Sequence, residues 1–81
     1  MMVELLRRIL RVQMAITRAE ALTIAERECA ARGWPWAAPV RVEEGVYVYW
    51  IRTNAGMRGG NVNICVDGRR GTVVKVGFAA Y

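Results

Sequence analysis

The densest chemistry in this 81-residue chain lies between Thr53 and Thr72, TNAGMRGGNVNICVDGRRGT. That stretch holds five of the eight glycines, one of the two cysteines, and Arg58, Arg69 and Arg70. Glycine beside arginine is the composition of a phosphate cradle, in which backbone N–H groups at a helix start point at the anion. Such a cradle needs a strand that leads into a helix. Here NAGMRGG leads from one β-patterned run into another, and no Lys-Ser/Thr pair closes it. The glycines therefore read as left-handed positions of a long hairpin loop, and DGRRG as a tighter turn opened by Asp67 and Gly68. Arg52, Arg58, Arg69 and Arg70 are the candidate anion contacts, and solubilising charge beside turns is their simplest role.

No catalytic set assembles around these residues. The chain has no histidine, so it lacks an imidazole base, the usual Ser-His and Cys-His pairs, and the common zinc constellations. Glu20, Glu26 and Glu28 read as a solvated helix face. Glu43 and Glu44 are neighbours in a strand, point to opposite faces, and make a poor acid/base pair. Cys65 lies mid-strand, where a nearby Arg52 would lower its pKa, but an inert thiol is the simpler expectation. Cys29 and Cys65 are expected to be two buried free thiols rather than a disulfide. No enzyme activity, cofactor or metal is expected.

Size and charge bound the rest. Eighty-one residues make one domain, residues 1–81, and so short a chain buries only roughly 60–65% of its unfolded surface. With 54% of residues hydrophobic, some large apolar side chains must stay exposed, which points to a partner or a self-association surface. The net charge is +5, and eleven of the twelve basic residues are arginine. Abundant Ala, Gly, Val and Arg match the amino-acid bias of a high-GC bacterial genome, which explains the arginines without a selected anion-binding surface. No apolar run is long enough to span a membrane, and Glu4, Arg7, Arg8 and Arg11 interrupt any secretory pattern. A cytoplasmic location is expected.

The elements that must position these residues are legible from periodicity. Residues 3–16, VELLRRILRVQMAI, predict an amphipathic helix with Glu4, Arg7, Arg8 and Arg11 on one stripe and Leu5, Leu6, Ile9 and Leu10 among the apolar remainder. TRAE is a capping box, with Thr17 as N-cap and Glu20 at N3, so a second helix or a bend starts there and stops at Gly33. WPWAAP is an irregular connector. The period then falls to two. Residues 40–44, 46–53, 61–67 and 72–78 predict strands of an antiparallel meander with one apolar and one more polar face.

Two surfaces stand out as candidate contacts. One is the first helix, through Leu5 and Ile9. The other is the aromatic group of Trp34, Trp36, Tyr47, Tyr49 and Trp50. Tyr47, Tyr49 and Ile51 share one face of their strand, and Val46, Val48 and Trp50 share the other. Both faces are apolar or aromatic, so one is core and the other interface. The expected partner-binding set is Tyr47, Tyr49, Ile51, Leu5, Ile9 and Trp36.

From about Thr17 to Val76 the order of segments resembles known small domains. AEALTIAERECAARG, the aromatic-centred VYVYWIRT, GGNVNICVD and GRRGTVVKV are similar in order to bacterial domains of the PepSY type. They are equally similar to short nuclear-transport-factor-like or cystatin-like immunity proteins. Trp50, Val66, Asp67, Gly71 and Val73 take the places of the central Trp and the closing V-D-x-x-x-G-x-V hairpin. The resemblance implies a non-catalytic domain that binds, inhibits or neutralises another protein.

The expected fold is α+β, with a bent helix or helix pair packed on a three- or four-stranded antiparallel sheet, cystatin-like in outline. The expected function is a protein-binding module, an immunity-type or regulatory inhibitor, working as a homodimer or on one protein partner. Two alternatives stand beside it: a nucleic-acid binder with a basic aromatic sheet, and an accessory subunit of an enzyme without chemistry of its own.

Overall fold

A computed structural model of the chain describes residues 14–79. It shows one helix packed on a four-stranded antiparallel sheet, an α+β fold. The helix α1 spans Arg18–Arg32, and β1 to β4 span Arg41–Glu44, Val48–Arg52, Asn61–Asp67 and Val73–Ala79. The strands follow one another in space as they do in sequence. The expected first helix over residues 3–16 lies mostly outside the described residues. Its last three, Met14 to Ile16, are not helical, because the N–H groups of Ala15 and Ile16 both donate to the Gly68 carbonyl.

Local chemistry sets the limits of α1. The Thr17 hydroxyl accepts from the Glu20 N–H at 3.1 Å, and the Glu20 carboxylate accepts from the Thr17 N–H at 2.8 Å. Two of the helix's otherwise orphaned donors are satisfied in this way. At the other end Gly33 takes a left-handed conformation (φ 70°), and the Trp34 N–H returns to the Cys29 carbonyl at 2.9 Å. The face turned to the sheet is built of Ala21, Ala25 and Cys29, all fully buried. Small residues spaced four apart let the helix axis come close to the strands.

Beneath that face lie Tyr49 and Ile51 of β2 and Val62, Ile64 and Val66 of β3, all buried. Register places them in one layer, with Tyr49 beside Val66 and Ile51 beside Ile64. Val42, Val73 and Val76 extend the layer towards both edges. Strand β2 is shorter than its sequence pattern. The Gly45 N–H bonds to the Val48 carbonyl, so Val46 and Tyr47 cross the β1–β2 loop instead of joining the strand.

The glycine-rich connection between β2 and β3 is an ordered loop with four left-handed residues, Asn54, Gly56, Gly59 and Gly60. It is fastened at two levels. Asn61, almost completely buried, donates its side-chain amide to the carbonyls of Thr53 (3.1 Å) and Asn54 (2.9 Å). The buried Thr53 hydroxyl accepts from the Val62 N–H at 2.9 Å. The N–H groups of Asn54 and Ala55 then bond to the carbonyls of Ala37 and Pro39, tying the loop to the connector after α1.

Candidate functional site

Because α1 covers the face of Tyr49 and Ile51, those two side chains belong to the core and present nothing to a partner. This corrects the expected contact set. Tyr49 is 4% exposed, and its O–H donates to the Ile16 carbonyl at 2.8 Å. Trp36 is half-buried and packs against the same core. Tyr47 is exposed, but it sits in the loop with the Arg69 guanidinium 5.4 Å above its ring. Leu5 and Ile9 lie outside the described residues. The expected set is therefore not one surface.

The candidate anion contacts do not converge either. Arg58 belongs to the loop before β3, whereas Arg69 and Arg70 belong to the turn after it. Seven residues of strand separate those ends by about 20 Å. The β3–β4 turn does hold an anion, and it is the chain's own. One carboxylate oxygen of Asp67 accepts from the N–H groups of Arg69 (2.8 Å) and Arg70 (3.0 Å). These two bonds hold the Asp67 carboxyl below its ordinary pKa, more strongly than desolvation raises it. A phosphate would have to displace Asp67 to use those donors. Gly68 fits the same turn by its size. A Cβ there would strike the Met14 thioether and come within 3.1 Å of the Tyr47 carbonyl.

Both thiols are buried. Burial pushes the pKa of both Cys29 and Cys65 up. At Cys29, Glu28 and Glu26 add to that rise. At Cys65, Asp67 raises the value further and Lys75 only partly offsets it. Both are free, and they lie on opposite sides of the sheet, Cys29 against the helix-covered layer and Cys65 on the far face. Among the described residues no group of three or more Cys, Asp or Glu side chains could hold a metal ion.

The far face carries the remaining chemistry. No described helix or strand packs over it, although Cys65, between Trp50 and Lys75, is only 3% exposed. Register arranges it in two cross-strand rows: Glu43, Trp50, Cys65 and Lys75 in one, and Arg41, Arg52, Asn63 and Gly77 in the next. Trp50 stands near the middle and is 47% exposed. Arg41, Glu43, Trp50, Arg52 and Asn63 line an open depression there. Arg41 and Arg52 are directly opposite one another, a like-charge arrangement that costs sheet stability. Among the described residues neither is in an ion pair; the pair that is present joins Arg32 and Glu28 on α1. Comparison with protein-family models, curated proteins and solved structures gave no match for the chain.

Sequence reasoning missed Trp50 and Arg41 as members of one site. The alternation in β2 placed Trp50 opposite Tyr49 and Ile51, but it did not say which side the helix would take. Arg41 becomes a neighbour of Arg52 only through the β1–β2 register.

Proposed function

We propose that the chain is a non-enzymatic protein-binding module whose contact surface is the far sheet face around Trp50. It acts as an immunity-type or regulatory inhibitor, on one protein partner or as a homodimer. The observation that carries this reading is a half-exposed tryptophan in the middle of a sheet face that no described element covers. A large amphipathic ring ringed by Arg41, Glu43 and Arg52 has the composition of an interface hot spot with a polar rim. The resemblance to small bacterial inhibitor domains supports the same reading. Two buried free thiols suit a reducing, cytoplasmic setting. No helix among the described residues is long and apolar enough to cross a membrane.

One observation favours a second reading. Arg41 and Arg52, side by side next to an exposed indole, are also what a single-stranded nucleic acid uses, with a base on the ring and phosphates on the guanidiniums. Affinity capture from a native extract, with and without nuclease, separates the two. A stoichiometric protein that survives nuclease, and that no longer binds a Trp50→Ser bait, is expected. Material lost on nuclease treatment, with binding that falls steeply as salt rises, would shift the assignment to nucleic acid.

A further inference from the structure

The two edges of the sheet differ in kind. The β1 edge is four residues long and carries Arg41, Glu43 and Glu44, the charge pattern that keeps strand edges from pairing. The β4 edge, Val73–Ala79, is seven residues long and carries one charge, Lys75. Val74 and Phe78 on it are 56% and 38% exposed. A bulge sits at the start of β4, where Val66 pairs with Val73 and Cys65 with Lys75, which leaves Val74 as the extra residue. From Lys75 to Ala79 the edge is regular.

Hydrogen-bond direction tells which backbone groups this edge leaves open. The Thr53 N–H donates to the Val62 carbonyl and the Gly68 N–H to the Tyr47 carbonyl, so the even-numbered residues of β3 face β2. Asn61, Asn63 and Cys65 therefore face β4, where they pair with Ala79, Gly77 and Lys75. Val76 and Phe78, in between, turn their N–H and C=O groups outward.

We propose that this edge pairs with the β4 of a second copy of the chain, antiparallel and centred on Val76, joining two sheets into one of eight strands. The register is self-complementary. Val76 exchanges both main-chain bonds with Val76 of the second copy. Exposed Val74 falls opposite exposed Phe78. Lys75 falls opposite Gly77, never opposite another lysine, and Gly77 has open space where its Cβ would be. Centring the pair on Lys75 instead would set the two ammonium groups face to face, and centring it on Gly77 would leave exposed Val74 with no residue of β4 opposite. The proposal does not depend on the Trp50 surface, which lies on a sheet face rather than an edge.

The test is sedimentation equilibrium of the full chain over a micromolar to millimolar range, with Gly77→Lys, Gly77→Glu and Val74→Lys variants. Thermal melts check that each variant is folded. The wild type is expected to dimerise. Residues 75 and 77 oppose each other twice in a two-fold pair, so Gly77→Lys should weaken the dimer about tenfold and Gly77→Glu strengthen it by a similar factor. Val74→Lys should give a folded monomer. A wild type that stays monomeric overturns the proposal. So does a dimer that the two charges at residue 77 affect alike, or that Val74→Lys leaves intact.

Discussion

The phenolic O–H of Tyr49 donates to the main-chain carbonyl of Ile16 at 2.8 Å, across 33 residues of sequence. One bond thus joins the middle of the sheet to the segment that leads into α1. Its neighbours reinforce it, since Ala15 and Ile16 both donate to Gly68 in the β3–β4 turn. Tyr49 is a structural residue. Tyr49→Phe should cost about 1 kcal/mol in a urea melt, the typical worth of one hydrogen bond. Tyr49→Ser removes the buried ring as well and should cost about 3–5 kcal/mol. A serine variant as stable as the wild type would mean that the ring is not core.

Asn61 tests the loop that first suggested a phosphate cradle. Its amide holds two carbonyls together in a buried position. Asn61→Ala should destabilise by about 1–3 kcal/mol, because one buried and one part-buried acceptor lose their donor. Asn61→Asp should be worse still, since a carboxylate cannot donate to those carbonyls when ionised. If denaturant melts place both variants within about 0.5 kcal/mol of the wild type, water replaces the clasp freely.

Acid stability should report on Asp67. Its folded pKa lies below the ordinary value, so the turn's contribution is fully present above the unfolded pKa, about 3.9, and is lost as pH falls through the lower folded value. Asp67→Asn keeps an acceptor oxygen but does not titrate. Its melting temperature should therefore fall less than the wild type's between about pH 4 and pH 2. Parallel acid limbs for the two proteins would show that Asp67 is not held in this way.

Much of the fold was legible because its signals are local. Thr17 and Glu20 cap one helix end and Gly33 the other through groups three or four residues apart, and each is where the spacing predicts. The four strands follow from alternation and from Gly, Pro and Asp between them. The choice of core face was not local. Strand β2 is apolar on both sides, so alternation alone ranks Tyr49 and Ile51 equally with Val48 and Trp50. The deciding information is the pairing of Tyr49 with Val66 and Ile51 with Ile64, which carries β2 into the apolar layer of β3. The connection between the two strands, residues 53–60, is too long to fix that register by turn chemistry. The pairing of Arg41 with Arg52 was hidden for a similar reason, because Val46 and Tyr47 enter the loop.

The central claim is that the face around Trp50 binds a protein, and a titration of the captured, purified partner against wild type and Trp50→Ser tests it most directly. A hot-spot tryptophan predicts an affinity loss of roughly 30-fold or more, about 2 kcal/mol. A residue about half exposed predicts a loss of folding stability of about 1–3 kcal/mol, so a melt of Trp50→Ser is run beside the titration to show that the variant is folded at the temperature used. Equal affinity for both proteins would contradict the claim, as would a partner that proves to be nucleic acid.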